Sequence, residues 1–266
     1  VVLSSLPADS RTGDGPAVVP TIQGCSEGRI RALPVAGQQA RAIARNPESG
    51  SLELAGLFER DPMLAQALLK ECNSAWFGRG GEPILSIIHA MQRVGLQGVE
   101  NVLMTSIMNG MLCRPGATFE AMAGQVWSHM VRTALLARRL APAFGVHPDR
   151  AYTLALLHDV GKLVLFDHFS ALRKDLRREI VIPEHFLCQI LVHLHEPIGG
   201  QAALRWGLGD EAARAIAAHH RHPAPAWHDP LSEVLCVAER VDLALTRNQK
   251  LDWAAIWADG LITAEQ

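Results

Sequence analysis

From about residue 29 onward, Leu and Ala recur with the spacing of amphipathic helices. No stretch alternates apolar and polar residues as a half-buried strand would. That feature confines the chain to an all-α fold, and the punctuation agrees with it. Asp61-Pro62 and Asp229-Pro230 each place an N-cap carboxylate ahead of a proline at the first helical position. They open "PMLAQALLKECNS" and "LSEVLCVAERVDLAL". Asn46-Pro47 predicts a helix end, Gly95 and Gly145 predict C-terminal stops, and Pro142 predicts an end or bend in a helix that begins near Ala121. Asp210 is placed to cap "EAARAIAAHH", a run apolar enough on all sides to predict a central helix.

The segment "CRPGAT", residues 113–118, is a soft boundary between two helical lobes. The expected organisation is a linker or flexible arm over 1–28, an N-terminal helical lobe over 29–115, a second helical lobe over 116–247 packed against it, and a tail with a short helix over 248–266. The arm is rich in Pro, Gly and Ser, and the chain opens on Val rather than Met. Both features are expected of a piece of a longer polypeptide.

The chain's 266 residues suffice for a sizeable buried core. With 25 basic and 27 acidic residues the formal charge is −2, so it carries no basic footprint for nucleic acid or for an anionic membrane, and neither is an expected partner. No apolar run reaches the length of a membrane span. Cys25, Cys72, Cys113, Cys188 and Cys236 are odd in number and far apart in sequence, so they form neither a disulfide framework nor a CxxC metal knuckle. The expected setting is the reducing cytoplasm.

Within "YTLALLHDVGKLVLF", residues 152–166, an otherwise apolar run carries His158, Asp159 and Lys162. A carboxylate removed from water must be paired, hydrogen-bonded or ligated to a metal. Other helical segments offer partners: His129 in "QVWSHMVRTALLA", His195 in "HLHEPIGG", His219 and His220 in "AIAAHHRHP", and Asp242 in "AERVDLAL". Imidazole and carboxylate are the nitrogen and oxygen donors for one or two divalent ions of Fe, Mn, Ni, Zn or Mg. Asp159 could bridge two of them. Lys162, one helical turn after His158, is then placed to hold a phosphate beside the ions, where metal catalysis activates water toward phosphorus.

These residues resemble a known pattern. His129, the His158-Asp159 doublet and Asp242 are similar to the H…HD…D signature of the HD metal-dependent phosphohydrolase superfamily, and the longer set with Lys162, His195, His219 and His220 is similar to its HD-GYP branch. "DPMLAQALLKECNSAWFG", "ILSIIHAMQRVGLQGVENVL", Leu33-Pro34 and "HEPIGGQAALRWGL" resemble the HDOD family, over roughly residues 30–245. The resemblance implies a helical HD core in the second lobe and a role as a signal-transduction output module. Such modules sit between an upstream receiver or sensor domain and a downstream signalling protein. It also implies the seven metal ligands His129, His158, Asp159, His195, His219, His220 and Asp242, with Lys162 and Asp159 as the catalytic pair if the protein is an enzyme. The family spacing from His to Gly199 selects His195 over His193. Where the HD-GYP branch carries a Gly-Tyr-Pro loop, this chain reads "HHRHPAPAWHDP", which argues against cyclic di-GMP hydrolysis.

Simpler readings apply to other residues. His89, His168 and His185 are expected as core histidines, His147 as part of a turn, and His222 and His228 as solvated loop residues. Lys162 alone would be a snorkelling helix lysine. Trp76 and Phe77 are expected in lobe packing, and "LRKDLRREI" as a solvated face. Two functions remain open: an interaction module with an HD-type metal site, or a metal-dependent phosphohydrolase acting on a phosphomonoester, nucleotide or cyclic nucleotide. A phosphorylated small molecule is the expected ligand in the second case.

Overall fold

The computed structural model describes residues 51–60, 62–74, 77, 82–112, 119–176, 182–220 and 229–252, and the isolated positions 30, 38, 42 and 254. Among these residues there is no strand, and the fold is all-α. The arm over 1–28, Asn46-Pro47, Asp61, Trp76, the 113–118 boundary, the end of "LRKDLRREI", most of the tail, and His222 and His228 lie outside the described residues. No described helix is long and apolar enough to cross a membrane.

The chain divides into two compact units, one formed by Leu33–Met111 and the other by Val1–Ala32 with Leu112–Gln266. In the first unit, α1 (Ser51–Arg60), α2 (Pro62–Cys72) and α3 (Ile87–Leu112) enclose Leu54, Phe58, Leu68, Val94, Val99 and Leu103. Phe77 packs onto this core, as expected. Gly95 interrupts α3 with φ 71° and ψ 171°, a conformation open to glycine, and the helix resumes at once. The Asn73 amide pairs with both backbone groups of Ile84, at 2.8 and 2.9 Å, so a side chain mimics one rung of a sheet and closes the intervening loop.

The second unit holds α4 (Glu120–Leu140), a 3-10 turn (Ala141–Phe144), α5 (Pro148–Leu157), α6 (Val160–Leu176), α7 (Glu184–Arg205), α8 (Asp210–Ala217) and α9 (Pro230–Thr246). Helix α4 packs on α5 and α9, α6 on α7, and α7 on α8. Pro142 converts the end of α4 into the 3-10 turn, which Gly145 closes in the left-handed region with φ 67°. His147 is more than a turn residue: it is the N-cap of α5, its side chain accepting from the Asp149 amide at 3.3 Å. Arg138 is almost fully buried, 4.0 Å over the Tyr152 ring and 3.3 Å from Asp149, and so ties α4 to α5.

Asp229 caps α9 as expected, accepting from the Leu231 amide at 3.2 Å and from the Ser232 hydroxyl at 2.7 Å. Asp229→Ala is expected to cost about 1 kcal/mol, read as a lower urea midpoint at an unchanged slope. Asp210 does not cap α8: it lies in the first turn, after Gly209, with no side-chain cap bond. Nor is α8 apolar all round. Asp210, Glu211 and Arg214 are exposed while Ala213, Ala215 and Ile216 are buried, so charges spaced along one side leave it amphipathic. His89 and His185 are likewise exposed rather than core, each near the start of its helix, and His168 is buried.

Three glycines set how closely the helices approach. A Cβ on Gly161 would overlap the carbonyl oxygen of His195 and stand 2.7 Å from its carbon and 2.9 Å from the Gly199 nitrogen. A Cβ on Gly199 would reach the Ile216 side chain at 2.8 Å, and one on Gly200 would reach Ala217 at 2.8 Å. Backbone thus lies against backbone where α6 starts beside α7, and α8 rests on the same small-residue stripe. This contact brings the His158-Asp159 turn to His195.

Candidate metal centre

Each candidate ligand sits where its backbone holds it. His129 projects from α4. His158 and Asp159 occupy the turn between α5 and α6, His195 lies on α7, and His219 and His220 form the turn that ends α8. The inward ring nitrogens converge on Asp159, which is 1% exposed. Its Oδ1 lies 3.6 Å from both His195 Nε2 and His219 Nε2. Its Oδ2 lies 3.5 Å from His158 Nε2 and 3.8 Å from His129 Nε2. Two donor groups result: Asp159 with His195, His219 and His220, and Asp159 with His129 and His158. The donor atoms within each group lie within 4.8 Å of one another.

The tautomers follow from the outer nitrogens. His158 Nδ1 donates to Ala155 O at 2.7 Å, His195 Nδ1 to Leu191 O at 2.6 Å, and His219 Nδ1 to Ile216 O at 2.7 Å. In a neutral imidazole so held, Nε2 is a lone pair, and it points inward. His129 Nδ1 donates to the Asp242 carboxylate at 2.7 Å, so its Nε2 is also a lone pair when the ring is neutral. That atom faces His158 Nε2 at 3.3 Å. Two lone pairs at that distance repel unless a cation or a proton lies between them. Asp159 Oδ1, His195 Nε2 and His219 Nε2 are fully buried and have no hydrogen-bond partner among the described residues. Buried polar atoms left in this state are rare and costly.

A metal ion resolves all of this. Donors about 2.1 Å from one ion at a tetrahedral angle stand about 3.4 Å apart, close to the separations around Asp159. Charge states agree. Burial pushes the His158 imidazole down to about 3, with His129 and His219 adding to the effect. Burial and Lys162 hold His195 well below its ordinary value, and burial beside His219 and His195 lowers His220. For Asp159, burial acts to raise the carboxyl, but Lys162 and His158 prevail and keep it ionised. His219 departs from the rest: burial acts to lower it, but Asp159 and Glu239 raise it. The neutral imidazoles of His158, His195 and His220 beside an ionised carboxylate are in the forms that bind metal.

Two expected site residues occupy unexpected positions. Lys162 neither snorkels nor reaches outward: it is 6% exposed, and its Nζ donates to Asp159 Oδ2 at 2.6 Å. Asp242 stands behind His129 and outside both donor groups, with its oxygens taken by His129 and by Arg132 at 2.6 and 3.1 Å. Burial acts to raise Asp242, but His129 and Arg132 lower it. His193 is half-buried and belongs to neither group, whereas His195 does.

Three further residues serve the site. Arg132 lies one turn after His129 on α4. Glu196, adjacent to His195, accepts from the His220 backbone amide at 2.8 Å and fixes the turn that carries the paired histidines. Glu239, one turn before Asp242, places its carboxyl 3.8 Å from His220 Nδ1, and burial raises it. Their sequence signal was only proximity to a ligand on a shared helix. A cavity of about 490 Å³ opens beside His129 and Asp159, lined also by Gln125, Ser128, Arg132, Lys162 and Thr246.

Comparison with known proteins agrees with this picture. The HDOD domain family matches residues 30–222. An uncharacterized protein of Treponema pallidum (strain Nichols) is 32% identical over 208 residues, which are 74% of this chain and 39% of that protein, so the chain spans about two fifths of this relative. A crystal structure of a candidate metal-dependent phosphohydrolase from Shewanella amazonensis SB2B has a TM-score of 0.70 at 16% identity, covering 89% of this chain and 90% of that one. An HDOD domain protein of unknown function from Geobacter sulfurreducens has a TM-score of 0.64 at 19% identity, covering 88% of this chain and 81% of that one. These two likenesses concern the fold. With its helical core, its convergent His/Asp cluster and the family match over most of its length, the chain belongs to the HDOD domain family.

Proposed function

We propose that this protein is a cytoplasmic signal-transduction output module. In this reading its His/Asp cluster holds one or two divalent ions of Fe, Mn, Ni, Zn or Mg, and it relays the state of an upstream receiver or sensor domain to a downstream signalling protein. The observation that carries the reading is the trio of buried, unpartnered atoms on Asp159, His195 and His219. The donors come from α4, the α5–α6 turn, α7 and the α8 turn. An ion held there ties four separate elements together, so its binding stabilises their packing by mass action. Such a centre can serve structure and signalling without turnover.

A second reading, a phosphohydrolase acting on a phosphomonoester, nucleotide or cyclic nucleotide, is favoured by the cavity against the cluster with Lys162 and Arg132 in its wall. When bound, the ions would supply Lewis acidity for activating water and for stabilising charge developing on phosphorus. The chain's own residues would do the rest. Backbone carbonyls keep His158, His195 and His219 aimed inward, and Glu196 holds the paired-histidine turn. Arg132 and Lys162 would orient a phosphoryl group by charge-assisted hydrogen bonds.

Elemental analysis of protein purified without chelator or an immobilised-metal column, paired with assays on p-nitrophenyl phosphate and its diester, tests both. At least one equivalent of metal without hydrolysis is the result expected for the module. Metal-dependent hydrolysis that Lys162→Met abolishes while metal stays bound would establish the enzyme. Folded protein without metal would overturn the metal centre itself.

A further inference from the structure

The two donor groups share Asp159 but differ in what competes for them. On the Oδ1 side stand His195, His219 and His220, and Oδ1 itself has no hydrogen-bond partner. On the Oδ2 side stand His129 and His158, and there Oδ2 already accepts from the Lys162 ammonium at 2.6 Å. The other carboxylate beside His129, Asp242, is also engaged, by the Arg132 guanidinium at 2.6 and 3.1 Å. Two fixed positive charges therefore lie where a second dication would need anionic oxygen. Like charges brought this close in a partly desolvated site oppose each other far more strongly than in bulk water.

Both cations line the same cavity of about 490 Å³, together with Ser128 and Gln125. Their freedom differs. The Arg132 side chain is 46% exposed and can swing; among the described residues its other bond is a long 3.4 Å contact to Thr246. The Lys162 side chain is 8% exposed and must find another internal acceptor if it leaves Asp159. A tetrahedral oxyanion in the cavity offers that acceptor to both. A guanidinium takes a phosphate through two parallel bonds, and an ammonium takes it as a point charge.

We propose that the centre loads in two steps. One ion enters at Asp159, His195, His219 and His220 unaided, and a second enters beside His129 and His158 only when a phosphate-type oxyanion in the cavity draws Lys162 off Asp159 and Arg132 off Asp242. The anion and the second ion then bind cooperatively. By linkage, the factor by which phosphate tightens the ion equals the factor by which the ion tightens phosphate. This inference rests on the metal-centre reading, and its test separates the two.

The chain is dialysed to equilibrium against Mn²⁺ in chloride buffer, with or without inorganic phosphate, and bound Mn is counted by elemental analysis. One Mn per chain is expected in chloride and two with phosphate, the second at least tenfold tighter than in chloride. Arg132→Gln is expected to weaken the phosphate dependence, and adding Lys162→Met, which also frees Asp159 Oδ2, to let the second Mn bind in chloride. If the double variant does not fold, Arg132→Gln alone decides, because its side chain is half solvated. Two Mn in chloride alone, one Mn regardless of phosphate, or an Arg132→Gln variant with unchanged phosphate dependence would each overturn the coupling while leaving a metal centre in place. No bound Mn under any condition would sink both.

Discussion

Asp159→Asn is expected to abolish metal retention and to lower thermal stability by about 3–5 kcal/mol, the usual cost of removing one partner of a buried ion pair. The substitution keeps the shape of the side chain and removes only its charge. Lys162 then holds a buried ammonium without the carboxylate 2.6 Å away. Both donor groups also lose the carboxylate charge they share, since Asp159 belongs to each. At about 2–4 °C per kcal/mol for a domain of this size, the melting temperature should fall by roughly 6–20 °C. Chelator supplies the second measurement. Excess EDTA should lower the melting temperature of the unmodified chain, since a ligand at 1,000 times its Kd contributes about 4 kcal/mol, and should leave Asp159→Asn unmoved. A variant that still binds metal and still responds to EDTA would remove Asp159 from the centre.

Gly161→Ala is expected to cost at least about 3 kcal/mol, the upper end of the ordinary penalty for overpacking, and to yield little folded protein. The added methyl would overlap the backbone carbonyl of His195 and press within 2.9 Å of the Gly199 nitrogen. Most overpacked cores relax by turning a side chain. Here the obstacle is main chain, so α6 and α7 must separate, and His195 would leave Asp159 with them. Gly110→Ala provides the control of opposite sign. Gly110 lies within α3, where an added Cβ would have no described atom within 4 Å, and there alanine should stabilise by about 0.5–1 kcal/mol through helix propensity alone. Equal effects in urea melts of the two variants would contradict the close helix contact.

Much of the fold was legible because helix signals are local. Period, Asp-Pro starts and glycine stops each concern a few neighbouring residues, and Asp229 and Gly145 behave accordingly. What failed depends on surroundings. "EAARAIAAHH" looked central because alanine is permissive, but which face of so short a helix is buried is decided by α7 beneath it. His89 and His185 sit on helix starts whose rotation nothing local fixes. At the site, the run of ordered histidines pointed to a shared cavity. Their partners did not announce themselves. An arginine one turn past His129, or a glutamate beside His195, has no distinctive signal until the chain brings Asp242 and the His220 amide to them.

The distribution of the donors along the chain has a consequence for synthesis. Residues 33–111 form a compact unit from one continuous stretch and can collapse as soon as that stretch emerges. The donors, in contrast, run from His129 to His220, and His129 is braced by Asp242 more than a hundred positions later. Until α9 has left the ribosome, the earlier histidines belong to a chain whose distant segments must still be brought together at an entropic cost. A nascent chain is therefore expected to stay insensitive to metal until α9 has emerged, and to acquire its chelator-sensitive resistance to protease only then.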